Sequence, residues 1–135
     1  MDKSKQLVDE WIIKAEHDLG MAELAIANKP EYKDLICFHC QQCAEKYLKA
    51  YLVLLKIDFK KSHSLIYLLD LLAVHENVPD SLYATAEILE DFGVEVRYPG
   101  DWNQLDEADI QEAYQAALRL KEAVKSRMAK TSLMD

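Results

Sequence analysis

The sequence predicts an all-α protein, a five-helix antiparallel up-and-down bundle. Gly and Pro number only three each among 135 residues, so turn signals are scarce and the elements between them must be long. Apolar residues recur at spacings of three and four along most of the chain, which is the period of an amphipathic helix. No segment shows a convincing strand pattern.

The first two helices carry the clearest patterns. The first is predicted over about residues 4–27, where one apolar stripe ends at Asn28-Lys29-Pro30. The second is predicted over about residues 32–57, with a broad apolar arc opposite a polar arc. The connections between predicted helices are short, so we expect neighbours to run antiparallel.

Three further helices are predicted over about residues 62–75, 79–93 and 106–130. Ser62 is the expected N-cap of the third helix and Asp106 of the fifth, because both residue types accept hydrogen bonds from the free N–H groups at a helix start. Residues 131–135 are expected to form a frayed tail. We expect a single domain over residues 1–135, with its core at about 5–128.

The composition indicates a cytoplasmic protein that does not enter a membrane. The longest unbroken apolar run is residues 50–55, which is far too short to cross a bilayer. Residues 1–5 lead directly into an amphipathic pattern, unlike a signal peptide.

Three cysteines lie close together at Cys37, Cys40 and Cys43. Their odd number and clustering do not predict a disulfide framework. On one helix they spread over about 120°, so the thiols diverge instead of converging on a metal. We expect buried thiols without a metal, and no cofactor.

Charge is unevenly distributed along the chain. The net charge is −8, which disfavours non-specific binding to nucleic acid. Residues 44–63 nevertheless carry five lysines against two acids, whereas residues 76–112 carry eleven acids against the single base Arg97. The first segment can therefore form a local anion site, although charge placed for solubility explains the pattern equally well.

The polar arc of the second helix contains a ridge of His39, Gln42, Lys46 and Lys49. A solvated helix face is the simple explanation of such a ridge. Three apolar residues on or beside the same arc, Phe38, Leu52 and Val53, indicate instead that part of it is covered by another helix or by a second subunit. We therefore expect a homodimer.

Three further residues complete a predicted site. His63 falls in the first turn of the predicted third helix, where free N–H groups favour an anion. Arg97 precedes a Pro-Gly turn, and either contributes to the site or pairs with a nearby carboxylate. Asp18 lies at the edge of an apolar stripe, so it needs a partner such as Lys46 or Arg97.

We predict that these elements together bind one phosphate-sized anion. The predicted ligands are Gln42, Lys46, Lys49, His63 and Arg97, with Asp18 as an orienting residue.

Several of these residues lie in strings that resemble the HEPN domain, the higher eukaryotes and prokaryotes nucleotide-binding family. The strings are Asp18-Leu19, QQCAEKYLKA at residues 41–50, KSHSL at 61–65 and RYP at 97–99. The resemblance covers about residues 5–128, and it implies a five-helix bundle that is usually dimeric. Some members of the family are RNases, often toxins, with an arginine followed four to six residues later by a histidine. Others bind nucleotides or partners, often beside a separate minimal nucleotidyltransferase.

The RNase pattern is incomplete in this chain, because no histidine follows Arg97 and His75 is the last one. The resemblance therefore favours a module that binds a nucleotide or a protein partner, in a toxin–antitoxin or nucleotidyltransferase system, without catalysis of its own. Two alternatives stay open. One is an RNase toxin that uses Arg97 with His63, because RNA cleavage needs a base near neutral pH. The other is a purely structural docking partner of a nucleotidyltransferase.

Overall fold

The computed structural model describes residues 3–93 and 105–134, with side chains up to residue 131. These ranges contain five α-helices and no strand, which confirms the predicted all-α bundle. The helices are α1 Lys3–Asn28, α2 Lys33–Leu54, α3 Leu65–Ala73, α4 Asp80–Glu90 and α5 Glu107–Met134, and a 3-10 turn, Asp91–Gly93, follows α4.

Helix α2 lies at the centre of the bundle. It packs against α1, α3, α4, α5 and the 3-10 turn. Tyr47 and Leu48 of α2 are almost completely buried, as are Leu69 of α3 and Leu120 of α5. Because neighbours cover most of the circumference of α2, its polar residues are enclosed as well as its apolar ones.

The side-chain contacts give the directions of the helices. Glu16 of α1 bonds to Lys121 of α5, and Glu23 bonds to Tyr114, so these two helices are antiparallel. Helix α3, in contrast, runs in the same direction as α2, so the prediction that neighbouring helices are antiparallel is wrong for this pair. Gln41 contacts the backbone of His63 just before α3, and Tyr51 contacts Glu76 just after it.

The segment between α2 and α3 explains this parallel pair. It spans residues 55–64, because α2 ends three residues before the predicted position. Ten residues of extended chain reach about 33 Å, which is enough to return along α2 before α3 begins.

Helix α2 ends in a Schellman motif that was not predicted from the sequence. The N–H of Lys56 donates to Val53 O at 3.0 Å, and the N–H of Ile57 donates to Leu52 O at 2.9 Å. Lys56 occupies the left-handed position of this motif with φ of 60°, where Gly is the usual residue.

Two other helix ends differ from prediction and one is confirmed. Ser64, not Ser62, caps α3: its Oγ accepts from the N–H of Tyr67 at 3.1 Å. Helix α5 continues to Met134, so the expected tail is helical over residues 131–134. The cap at Asp106 is confirmed, because Asp106 and Asp109 each accept the backbone N–H of the other at 2.9 Å.

Burial settles two further predictions. Cys37, Cys40 and Cys43 are all fully buried, as expected. Burial raises the pKa of the Cys43 thiol to about 12. Leu52, however, is only 1% exposed, because the bundle itself covers it, so it does not mark a surface for a second subunit. None of the helices in the described ranges has the length and apolarity needed to cross a membrane.

Candidate functional site

Glu45 is the centre of a buried polar cluster on α2. Glu45 is only 2% exposed, and its Oε2 accepts a hydrogen bond from Lys49 Nζ at 2.9 Å. The Lys49 side chain is 7% exposed, and its ammonium lies 5.4 Å from the centre of the Trp11 ring. An enclosed ammonium needs such partners, since its desolvation is otherwise unfavourable.

Two glutamines extend this cluster towards α3. Gln41 Nε2 donates to His63 O at 2.8 Å, and Gln42 Nε2 donates to Gln41 Oε1 at 2.8 Å and to Glu45 Oε1 at 3.2 Å. Both glutamines are buried, Gln41 completely. The glutamine amides therefore bind the start of α3 to α2.

Glu45 also fixes the imidazole of His63. The distance from His63 Nδ1 to Glu45 Oε1 is 3.1 Å. A carboxylate accepts hydrogen bonds, so Nδ1 is the donor in this contact and Nε2 is the second ring nitrogen. The His63 side chain is 56% exposed, so Nε2 is available to a ligand.

A second carboxylate–histidine pair joins α1 to α2. Asp18 Oδ1 lies 2.8 Å from His39 Nδ1, and Asp18 Oδ2 lies 2.5 Å from Lys46 Nζ. The partner Lys46 was one of the two predicted for Asp18. Burial by itself would raise the pKa of Asp18, but the hydrogen bonds from His39 and Lys46 outweigh it and lower the pKa below its ordinary value.

The shifted pKa of Asp18 predicts a contribution to stability that depends on pH. The folded pKa lies below the unfolded one, so this contribution is complete above pH about 4 and is lost as pH falls through the folded pKa. Asp18→Asn should lower the free energy of unfolding by about 1.5 kcal/mol at pH 7, the low end for bonds to a charged group, because Lys46 and His39 reach solvent.

Urea denaturation at neutral and at acid pH measures this effect. The difference between wild type and Asp18→Asn should shrink once the pH falls below the ordinary pKa of an aspartate. Asp9→Asn, on the exposed side of the same helix, is the matched control. A difference that stays constant from neutral to acid pH would contradict the assignment of Asp18.

The backbone N–H groups at the start of α3 are occupied by a side chain of the protein itself. Glu90, at the end of α4, accepts from Leu65 N at 2.6 Å and from Ser64 Oγ at 2.7 Å. The sequence analysis predicted that these N–H groups bind an external anion. The structure corrects it, because Glu90 already fills that position.

Gly93 lies against the amide of Gln41. A methyl group at Gly93 would stand 2.7 Å from Gln41 Nε2 and 2.9 Å from Cδ, so any larger residue there would force the Gln41 amide to shift. Gly93 is also the last described residue before the segment 94–104. The prediction for Arg97 lies within that segment, outside the described residues.

The structure thus places the predicted residues in two neighbouring groups on α2. Gln42, Lys49 and His63 meet at Glu45, whereas Lys46 meets Asp18. His39, Gln42 and Lys46, at spacings of three and four, share one helix face and connect the two groups. Within residues 3–93 and 105–134, no group of three or more side chains is arranged to hold a metal ion.

Four residues of the site were not predicted as ligands or organisers. Gln41 and Glu45 belong to the polar arc in the sequence, but nothing local shows that they are buried. His39 and Glu90 act through partners 21 and 25 residues away, Asp18 and Leu65. Helical periodicity gives the face of each residue but not the register of one helix against another.

Comparison with known proteins supports one family. The family model described as HEPN domain matches residues 8–127. The structure is similar to that of an archaeal HEPN homologue, with a TM-score of 0.71, 31% identity, and coverage of 89% of this chain and 96% of that chain. A protein from Thermus thermophilus gives a TM-score of 0.72 at 26% identity, with coverage of 88% and 96%.

A third structure shares the fold. It is a HEPN domain protein from Thermotoga maritima, with a TM-score of 0.73, 18% identity, and coverage of 89% of this chain and 98% of that one. Among curated proteins, nothing matches this chain.

Proposed function

Because the chain belongs to the HEPN domain family, we propose that it binds the phosphate of a nucleotide on the polar face of α2. The observation that carries the proposal is the pair of carboxylate-held imidazoles, His63 on Glu45 and His39 on Asp18. Each carboxylate accepts a hydrogen bond from Nδ1, and an imidazole protonated on both nitrogens would donate its Nε2–H to a phosphate oxygen. Residues 39–46 rise about 10 Å along the helix, a span that suits a nucleotide.

The polar face of α2 is close to neutral, but lysines near it can attract an anion. Lys49 is paired with Glu45 and Lys46 with Asp18. Both ammonium groups can donate hydrogen bonds, but neither adds net charge to the surface. Net positive charge comes from the segment before α3, where Lys56, Lys60 and Lys61 are exposed beside one acid, Asp58. A phosphate near His63 would be attracted by these lysines, against the opposing charge of Glu90 at the start of α3.

Arg97 remains the proposed principal contact to phosphate. It follows Gly93 by four residues, a chain length of at most about 14 Å, and Gly93 itself touches Gln41 of the site. A guanidinium can bind two phosphate oxygens at once, which makes its contact the strongest of the proposed set.

Calorimetry with a panel of nucleotides tests the proposal. Arg97→Ala and Lys46→Ala should each weaken binding by roughly ten- to a hundred-fold, the effect of losing one charge-assisted hydrogen bond. Lys14→Ala, an exposed lysine on α1, is the control and should bind like wild type. Equal binding by all four proteins would exclude this site.

One observation favours RNA cleavage as a second function. The Glu45–His63 pair orients an imidazole in the way a general base requires. Incubation with structured RNA distinguishes the two functions, because cleavage that is lost in His63→Gln and Arg97→Ala requires catalysis. Intact RNA with retained nucleotide binding supports the binding module.

The proposed partners are a second copy of the chain and a minimal nucleotidyltransferase. The half-buried Phe38 and Val53 flank the polar face of α2, so a partner docked there would also cover the proposed nucleotide. Light scattering on the calorimetry samples reports the oligomeric state, and a specific dimer should bury about 1,200 Å² or more.

A further inference from the structure

A cavity lies at the opposite end of α3 from His63. It has a volume of about 380 Å³, in the range of small-molecule sites. Its walls come from α2, from the turn after α3 and from the last part of α5. The lining residues are Tyr51, Glu76, Ala123, Ser126, Arg127, Lys130 and Thr131.

The guanidinium of Arg127 is held in a fixed position in this cavity. Its Nη1 donates to Glu76 Oε1 at 2.5 Å and to Asn77 O at 3.2 Å. Glu76 is itself held by Tyr51, whose hydroxyl donates to Oε2 at 2.8 Å. Both hydrogen bonds of the Arg127 guanidinium within the described part of the chain use Nη1, so Nη2 and Nε can serve a ligand.

The cavity has a surplus of positive charge although the protein is acidic. Glu76 balances Arg127, and Lys130 then adds one positive charge at the rim. The described lining thus carries two bases, Arg127 and Lys130, against one acid, Glu76. The hydroxyl of Ser126 adds a donor. An arginine fork, an ammonium and a hydroxyl are the donors that phosphate groups bind in proteins.

We infer that this cavity binds the phosphate group of a small phosphorylated metabolite. Arg127 supplies two parallel donors, Lys130 supplies the second charge, and Glu76 with Tyr51 keeps the guanidinium in place. Free phosphate and a phosphate monoester share this chemistry. The site is independent of the proposed nucleotide site, because α3 separates the two.

Nuclear magnetic resonance of the full chain tests this inference. Inorganic phosphate and glycerol 3-phosphate are titrated separately, with acetate as the carboxylate comparison. Amide resonances of residues 126–131 should shift and saturate, with a dissociation constant on the order of 1 mM. A monoester that binds more tightly than inorganic phosphate identifies a metabolite site, whereas equal binding identifies a site for phosphate alone.

Two conservative variants keep the test interpretable. Arg127→Lys retains the charge next to Glu76 but loses the fork, so phosphate should bind about tenfold more weakly. Lys130→Gln should also weaken binding, whereas Arg119→Lys, exposed on α5 outside the lining, should not. His63→Gln should leave these shifts unchanged.

Three results would overturn the inference. The first is no saturable shift at residues 126–131, and the second is an equal response to acetate. The third is unchanged binding in both Arg127→Lys and Lys130→Gln. Each variant is first compared with wild type by its spectrum without ligand, so that a loss of folding is not read as a loss of binding.

Discussion

Replacing Glu45 with leucine is expected to lower the free energy of unfolding by about 3–5 kcal/mol. Glu45 accepts from Lys49 at 2.9 Å in a place where the Lys49 side chain is 7% exposed. Removal of the carboxylate leaves a buried ammonium without its counter-charge. The amide of Gln42 and the imidazole of His63 lose the same acceptor. Urea denaturation of the two proteins measures the difference.

A double-mutant cycle separates the lost charge pair from the lost packing. Lys49→Met alone leaves Glu45 buried without its ammonium and should also destabilise the protein. The double variant Glu45→Leu with Lys49→Met should recover most of the loss, because apolar groups of similar volume often replace a buried ion pair at little cost. Additive losses would show that the two charges do not interact.

Gly93→Ala is expected to destabilise the fold by about 2–3 kcal/mol, near the upper end for an overpacked core. The new Cβ would stand 2.7 Å from Gln41 Nε2. Gln41 cannot move away easily, because it is fully buried and its amide bonds to His63 O and to Gln42. The same change should disturb the start of α3 and thereby the orientation of His63.

Gly20 provides a control with the opposite sign. It lies within α1, and a Cβ added there meets nothing within 4 Å. Gly20→Ala should therefore stabilise the protein by about 0.5–1 kcal/mol, since alanine is the better helix former. If thermal or urea unfolding shows the same change for both substitutions, the close approach of Gly93 to Gln41 is not the cause.

The helices could be predicted because their evidence is local. The apolar stripes of α1, α2 and α5 depend on residues three and four apart, and the cap at Asp106 depends on its own side chain. The end of α2 was missed because Lys56, and not Gly, occupies the left-handed position. The cap of α3 was predicted at Ser62 instead of Ser64 because the two serines are only two residues apart. Both accept a hydrogen bond from a backbone N–H.

The site could be predicted only in its residue types. Gln42, Lys46 and Lys49 lie at helical spacing on α2, so periodicity predicts that they share a face, whereas His63 was predicted from its place near a helix start. The burial of Glu45 depends on the segment 55–64 returning along α2, and the Asp18–His39 pair depends on the register of α1. Both are tertiary features, which cannot be predicted from a short stretch of sequence. Glu90 occupies the start of α3 for the same kind of reason.

The central claim is that a nucleotide phosphate binds where the carboxylates hold His63 and His39. The four histidines of the chain make this measurable by ¹⁵N resonance of the imidazoles during a nucleotide titration. Nε2 of His63 and His39 should shift and saturate at the calorimetric affinity, while His17 and His75, exposed elsewhere, stay unchanged. Saturable binding that leaves both Nε2 resonances unmoved would contradict the claim.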